Sequence, residues 1–399
     1  MMRSAAIAAI YGALAGALAA VTLWCMNTLN HWVWSLSDAR WYIPVVIMLG
    51  GVLIALIRNV TEDADLNAQL AQAHDVLHLK KRSTLFLALS AIVAVGFGGA
   101  VGPEAGLVAV VSEASAVVAL LIARSRAEAR LIGDTGTVAA LSGLYGAPPA
   151  AAVYIEPEST PNLSSQNIDD EPTPLALKFL GAVAGFAGFV WVAHWLIPNG
   201  QLQLSLPAYI APRDGSDLLW AIIPALLGAC AGIVLRLSRP YITHALNQLG
   251  GPKVQTLAGS AVFAVLATAV PLVRFSGHHE LVHLLEYGVE VGWPALLGLG
   301  LLKALALALC LSSGWRGGEI FPLLFAGAVL SLVAVACWPS TPVTVALIAG
   351  MTAAATAGMG KPIAVLLIML LLTGASAPGA LFIGILAGYG VMRLLPQSH

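Results

Sequence analysis

Twelve apolar stretches constrain this chain more than any other feature. They cover residues 5–25, 43–57, 84–98, 105–123, 132–155, 175–197, 218–235, 255–273, 293–311, 321–337, 341–357 and 362–394. Charge is scarce throughout, at 10% of the sequence, where a soluble domain carries about 25%. Hydrocarbon offers no water to backbone N–H and C=O groups, so only helices or closed barrels can span it. The stretches lack the alternation of barrel strands. The expected fold class is therefore an all-α polytopic membrane protein. The segment at 5–25 follows Arg3 and resembles a secretory leader, but its length and the runs after it make it a first transmembrane helix.

Several stretches fall short of the ~20 residues that a spanning helix needs, and glycine and proline break others. Helices that end at membrane depth are tolerated only inside protein or along a cavity. The segment "FGGAVGPEAGL" (97–107) holds four glycines, a proline and one carboxylate, Glu104. A second such break is "GWRGGEIFPLLFAGA" (314–328). About 40 residues beyond each proline, Pro103 and Pro322, comes a related sequence: "AALSGLYGAP" (139–148) and "AAATAGMGKP" (353–362). Ala139/Ala353, Ala140/Ala354, Gly146/Gly360 and Pro148/Pro362 coincide, with Ser142 opposite Thr356. Broken helices at related places in two halves are the mark of a repeat-built transporter. The polar connection at 156–174 carries five acids and no base. It divides the expected organisation into an N-terminal repeat, 1–172, and a C-terminal repeat, 173–399, with no soluble regulatory domain. Basic residues cluster at Lys80, Lys81 and Arg82 and at Arg124, Arg126 and Arg130. Such clusters favour the cytoplasmic side, but here they do not fix an orientation.

The broken helices carry a chemistry of their own. A helix N-terminus leaves its first N–H groups unpaired and bears about half a positive charge. Where water is excluded, an anion satisfies those donors without any lysine or arginine. Glycine lets the ligand approach the backbone, and proline in the first turn forfeits no bond. Two such ends meeting at the midplane would make an anion site. Close packing of helices through small residues is the competing explanation for the same glycines.

These residues resemble the CLC family of chloride channels and proton-coupled chloride exchangers. "GPEAG" (102–106) is similar to the family's G(K/R)EGP motif, "GGEIFP" (317–322) to GxFxP, and "GLYGAPPAAAVYIEPE" (143–158) to its helix that ends in acidic residues. The resemblance covers nearly the whole chain and is nearest to a divergent bacterial branch that carries GPE and GGxIFP. It implies an inverted repeat of many tilted, partly broken helices, and transport of a small inorganic anion, most readily chloride. It implies Glu104 as gate, with the anion held near Gly102, Ala105, Gly106, Gly318, Glu319, Ile320 and Phe321. Should protons be coupled, it implies Glu158 as inner relay, with Glu156 as its neighbour able to take the role. The implied partners are the anion, protons, the lipid bilayer of the inner membrane and a second copy of the chain. No cofactor, nucleic acid or enzymatic reaction is implied.

The departures are specific. Pro103 replaces a basic residue, and Gly106 stands where the motif has proline. A competing register lays Val101 on the gating position. No GSGIP precedes these motifs, the corresponding region reading "VTEDADLN" (60–67). The chain stops at "RLLPQSH", so the family's last helix, with its anion-binding tyrosine, is expected to be missing. A passive chloride or fluoride channel therefore stands beside the exchanger.

A reading from another class rests on "HHELVHLLEYG" (278–288). Residues 279–283 match HExxH, which sets two histidines on one helix face with Glu280 as base. That would make an intramembrane zinc protease. The stretch lies between apolar segments and lacks an evident third ligand, which favours an amphipathic connector. Glu113, Asp134, Lys303, Arg316, Glu319 and Lys361 also lie in apolar text. Such groups pair internally or mark a pathway. The two lysines are equally able to snorkel to an interface, and Arg316 is a candidate partner for Glu319. Cys25, Cys230, Cys310 and Cys337 stand singly and form no metal or redox motif.

Overall fold

The computed structural model describes residues 2–58, 81–154, 172–197, 206–212, 214–277, 281 and 292–394. Among them the regular elements are helical. They are α1 (Met2–Trp34), α2 (Tyr42–Arg58), α3 (Lys81–Gly96), α4 (Glu104–Ile122), α5 (Arg126–Tyr145), α6 (Pro148–Tyr154) and α7 (Leu175–Leu196), then α8 (Ser216–Gln248), α9 (Pro252–Ala269), α10 (Trp293–Ser312), α11 (Ile320–Cys337), α12 (Val343–Met359), α13 (Pro362–Leu372) and α14 (Pro378–Leu394). One 3-10 turn, Pro271–Val273, follows α9. Six described helices (α1, α4, α7, α8, α10 and α11) are long and apolar enough to cross a membrane. Two stretches that read as continuous are each two helices. Residues 132–155 break at Gly146, between α5 and α6, and residues 362–394 break between α13 and α14. Proline opens α6, α13 and α14, where its missing N–H costs no helical bond.

The packing runs in two matching sets. Helix α1 lies against α7 and α5, while α5 also touches α4. In the same way α8 lies against α14 and α12, while α12 also touches α11. Helix α3 packs on α4 as α10 packs on α11. Two contacts join like-placed helices across the sets, α2 with α9 and α6 with α13.

Glycine sets the spacing inside each set. A methyl group at Gly12 of α1 would stand 2.6 Å from the Gly181 carbonyl oxygen of α7. One at Gly384 or Gly388 of α14 would stand 2.7 Å from the carbonyl of Ala349 or Ala353 in α12. Lipid tails are as apolar as leucine, so helices in a bilayer associate through close packing of this kind.

Isolated charges are used as internal ties. Lys303 of α10 is completely buried, and its ammonium donates to the carbonyls of Val273 (3.2 Å), Arg274 (2.8 Å) and Phe275 (2.7 Å). It therefore does not snorkel to an interface. Three carbonyl dipoles give the charge the solvation that water would have supplied. Lys361 also turns to protein, donating to the Tyr154 carbonyl at 3.3 Å with its ammonium 4.0 Å from that ring's centre. Arg58 ties α2 to α9 and to the end of α10 through Thr256 Oγ1 (3.1 Å) and the Ser313 carbonyl (3.2 Å).

Candidate functional site

Helices α3 and α10 end alike. Gly98 and Gly314 take left-handed φ of +86° and +89°, a conformation that a side chain disfavours. The next N–H returns to the helix in both cases: Gly99 to Ala94 at 2.8 Å, and Trp315 to Cys310 at 2.9 Å. This Schellman geometry satisfies the last carbonyls and turns the chain inward. The two inward segments then meet. Gly102 N–H donates to the Gly318 carbonyl and Gly318 N–H to the Gly102 carbonyl, both at 2.9 Å, in an antiparallel bridge. Immediately beyond it, α4 starts at Glu104 and α11 starts at Ile320. The helix starts are thus pinned side by side.

The Glu104 carboxylate lies in this junction and is completely buried. A methyl group at Gly102 or at Gly318 would collide with it. Both glycines are therefore required by the close approach of that carboxylate. The backbone N–H groups of Glu104, Phe321 and Gly318 surround it, yet neither oxygen completes a hydrogen bond of ordinary geometry. A buried carboxylate without such bonds is costly, and the positive ends of α4 and α11 are what favour its charge here.

The expected anion donors divide into two groups. Gly102 and Gly318 use their N–H groups on each other, and Gly106 donates to the Pro103 carbonyl at 3.1 Å. Gly106 also leaves room for the Met26 side chain from α1. The N–H groups of Glu104, Ala105, Ile320 and Phe321 belong to the first turns of α4 and α11, where no preceding helical carbonyl awaits them. The proline equivalence also shifts. Pro103 and Glu319 are the two N-caps, so Pro103 corresponds to Glu319. Pro322 is the third residue of α11. Val101 is buried against Gly317, and Glu104 is the side chain that reaches the junction.

Glu319 stands at the edge of the site. Its side chain is 20% exposed, where Glu104 is fully enclosed. Arg239 of α8 holds it, Nη1 to Oε1, at 3.0 Å. This partner lies 80 residues away and belongs to no motif near Glu319. A second unforeseen neighbour is Tyr145, the last residue of α5. It is buried, its ring centre is 6.1 Å from that of Phe321, and its phenol is within electrostatic reach of Glu104. The available signal was its place directly before the repeated glycine-proline break. Glu156, Glu158, the 60–67 segment and, Leu281 apart, the 279–283 motif lie outside the described residues. Among the described residues no group of three His, Cys, Asp or Glu side chains is placed to hold a metal ion.

Comparison with known proteins places this geometry. The fold matches that of a slow cyanobacterial Cl−/H+ antiporter with a TM-score of 0.77, at 18% identity, over 98% of this chain and 94% of that one. It matches a CLC-type fluoride/proton antiporter with a TM-score of 0.68, at 17% identity, over 98% and 97%. In sequence the chain is 27% identical over 263 residues to "Putative ion-transport protein YfeO" of Escherichia coli (strain SMS-3-5 / SECEC), covering 65% of this chain. That match spans 59% of the relative's length. A protein of the same name from Escherichia coli O17:K52:H18 (strain UMN026 / ExPEC) is 25% identical over 313 residues, covering 77% of this chain and 71% of the relative. Residues 64–393 match the voltage gated chloride channel family, and with most of its length inside that match this multi-pass membrane protein belongs to the family.

Proposed function

We propose that the protein moves a small inorganic anion, chloride first, across the inner membrane through the junction of α4 and α11. One observation carries the reading. A fully buried carboxylate with no completed hydrogen bond lies between two helix N-termini, where a mobile anion would be equally at home. Ionised, Glu104 occupies the anion's place and blocks the path. Protonated, or displaced by an anion, it leaves the junction and opens it. The anion is then held by the first-turn N–H groups of α4 and α11, at Glu104, Ala105, Ile320 and Phe321. Gly102, Gly106 and Gly318 hold the helix starts at the required separation. Arg239 neutralises Glu319, which would otherwise repel an entering anion.

Glu104 exchanges a proton in this cycle, so proton coupling is part of the proposal, with Glu158 or Glu156 as the inner relay. The matched packing of α1–α7 and α8–α14 supports two repeats divided between α7 and α8, later than the 172/173 division read from the acidic connection. A homodimer with one pathway per subunit is the proposed assembly.

The test is efflux from proteoliposomes containing the purified chain, run with chloride, bromide, fluoride and nitrate and with a simultaneous pH readout. Anion efflux that drives proton movement supports an exchanger. Anion efflux without it identifies a passive channel. No efflux of any anion above empty vesicles refutes the proposal.

A further inference from the structure

Tyr145 presents a polar atom that its surroundings leave unused. It is 2% exposed, and among the described residues its hydroxyl has no hydrogen-bond partner. Buried tyrosines ordinarily find a partner for the O–H, because the group loses water's hydrogen bonds on burial. The ring itself is well held. Its centre is 6.1 Å from that of Phe321 at 51° and 6.3 Å from that of Tyr154 at 61°. Phenylalanine would fill that space equally well, so packing alone gives the oxygen no purpose.

The position supplies one. Tyr145 ends α5 directly before the left-handed Gly146, and its ring centre lies 6.1 Å from that of Phe321, in the first turn of α11. Phe321, against which the ring lies, also contributes one of the N–H groups around the Glu104 carboxylate. The phenol lies within electrostatic reach of the carboxylate. The junction therefore combines the N–H groups of two helix starts, one hydroxyl, and a carboxylate that can leave. We propose that Tyr145 donates its O–H to the transported anion when Glu104 withdraws, a side-chain donor beside the backbone N–H groups of the two helix starts.

The ligand class follows from the donors. Backbone N–H groups and the positive ends of two helices exclude a cation. They favour a compact anion able to accept from several directions at once, such as a halide. A bound water between the phenol and Glu104 would be a structural alternative, and it predicts a different result below.

This inference rests on the reading of the junction as an anion site, so the experiment separates the two. Bromide binding is measured by titration calorimetry on the full chain carrying Glu104→Gln, which removes the competing carboxylate, and on the same chain with Tyr145→Phe added. Loss of one hydrogen bond to a charged ligand is expected to weaken binding roughly tenfold or more. The ring packing and the melting temperature should be preserved. Equal affinities in the two proteins overturn the role of Tyr145 and favour the structural alternative. Absence of bromide binding in both overturns the anion site and this inference with it. Anomalous diffraction from bromide-soaked Glu104→Gln crystals gives a reading that does not depend on the tyrosine variant. Bromide within about 3.5 Å of the Tyr145 oxygen supports the proposal, and bromide at the helix starts but beyond hydrogen-bond reach of that oxygen refutes it.

Discussion

Replacing Glu104 by glutamine separates a gate from a mere helix-capping acid. The substitution keeps the side chain's volume and removes its charge. On the gating proposal, an anion entering the wild-type protein must displace the carboxylate from two helix N-termini. Each terminus favours a negative charge by about 0.5–1 kcal/mol, so the carboxylate's hold on the site is about 1–2 kcal/mol from this source. An anion entering the Glu104→Gln protein no longer competes against that hold. At 1.4 kcal/mol per factor of ten, its affinity should tighten roughly five- to thirty-fold. Fold stability should change little, because the native carboxylate has no completed hydrogen bond to lose. The second readout is pH. Wild-type flux should rise on acidification, as protonation releases the carboxylate from the junction. Flux through Glu104→Gln and Glu104→Ala should be independent of pH, and neither variant should move protons. Binding is followed by calorimetry with bromide, and flux in proteoliposomes over about pH 4.5 to 7.5. Unchanged affinity together with an unchanged pH profile would refute the gating argument and leave Glu104 a first-turn acid that only complements its helix dipole.

The remaining predictions concern the parts that hold the junction. Gly318→Ala puts a methyl group against the Glu104 carboxylate and should destabilise the protein by about 1–3 kcal/mol. Adding Glu104→Ala should restore at least half of that loss, whereas additive losses in thermal melts would show that the two residues do not meet. Lys303→Met leaves one buried and two part-buried carbonyls without this donor and should cost about 3 kcal/mol by the same measurement; an unaltered melting temperature would mean that water replaces the ammonium. Arg239→Gln removes this ion pair with Glu319, and because the pair is part-exposed stability should move by less than about 1 kcal/mol. Anion affinity should still fall severalfold as the Glu319 charge is less fully neutralised, and calorimetry showing no fall would mean that Glu319 does not act on the anion.

What was legible in the sequence was mostly what the backbone requires. Left-handed turns need glycine, and so Gly146 and Gly360, at φ of +63° and +74°, stood out as a repeated pair. The breaks before α4 and α11 were visible for the same reason. Hydrogen bonding was not visible. Nothing in the text "GGAVGP" or "RGGEIFP" states that Gly102 and Gly318 bond to each other, because that pairing depends on two segments meeting from opposite halves. The resulting register makes Glu319 the counterpart of Pro103, although a proline-to-proline alignment was the natural reading. Arg239 and Tyr145 were missed for a related cause. Each acts across the fold on a residue distant in sequence, and neither belongs to a local pattern. Lys303 was misjudged as an equal candidate for snorkelling because a lone lysine in apolar text gives no clue to carbonyls contributed by a later turn.

The Gly102–Gly318 bridge also bears on how two nearly equivalent halves would produce the proposed single site with a single gate. The bridge relates the segments before α4 and α11, and it sets Glu104 opposite Ile320 as the first residue of each helix. The C-terminal residues of α5 and α12, each followed by a left-handed glycine, are Tyr145 and Met359. Backbone features therefore recur in both halves: the glycine exits from α3 and α10, the paired helix starts, and the proline-led α6 and α13. Chemistry does not recur. The first half contributes a carboxylate and a hydroxyl, while the second contributes isoleucine and methionine at the corresponding places. Two carboxylates at the junction would repel each other across a few ångströms, and one would have to remain protonated. Under the proposed gating, two helix N-termini serve the one carboxylate enclosed between them, so that protonating or displacing it would change the occupancy of the whole site. On this view Ile320→Glu, which restores symmetry of side chains, should oppose anion entry more strongly than the loss of Glu104 promotes it. The decisive measurement is bromide affinity in Ile320→Glu at neutral and at acidic pH. Affinity that is lost at neutral pH and regained on acidification supports the argument, and affinity equal to wild type at both would show that Ile320 does not face the site.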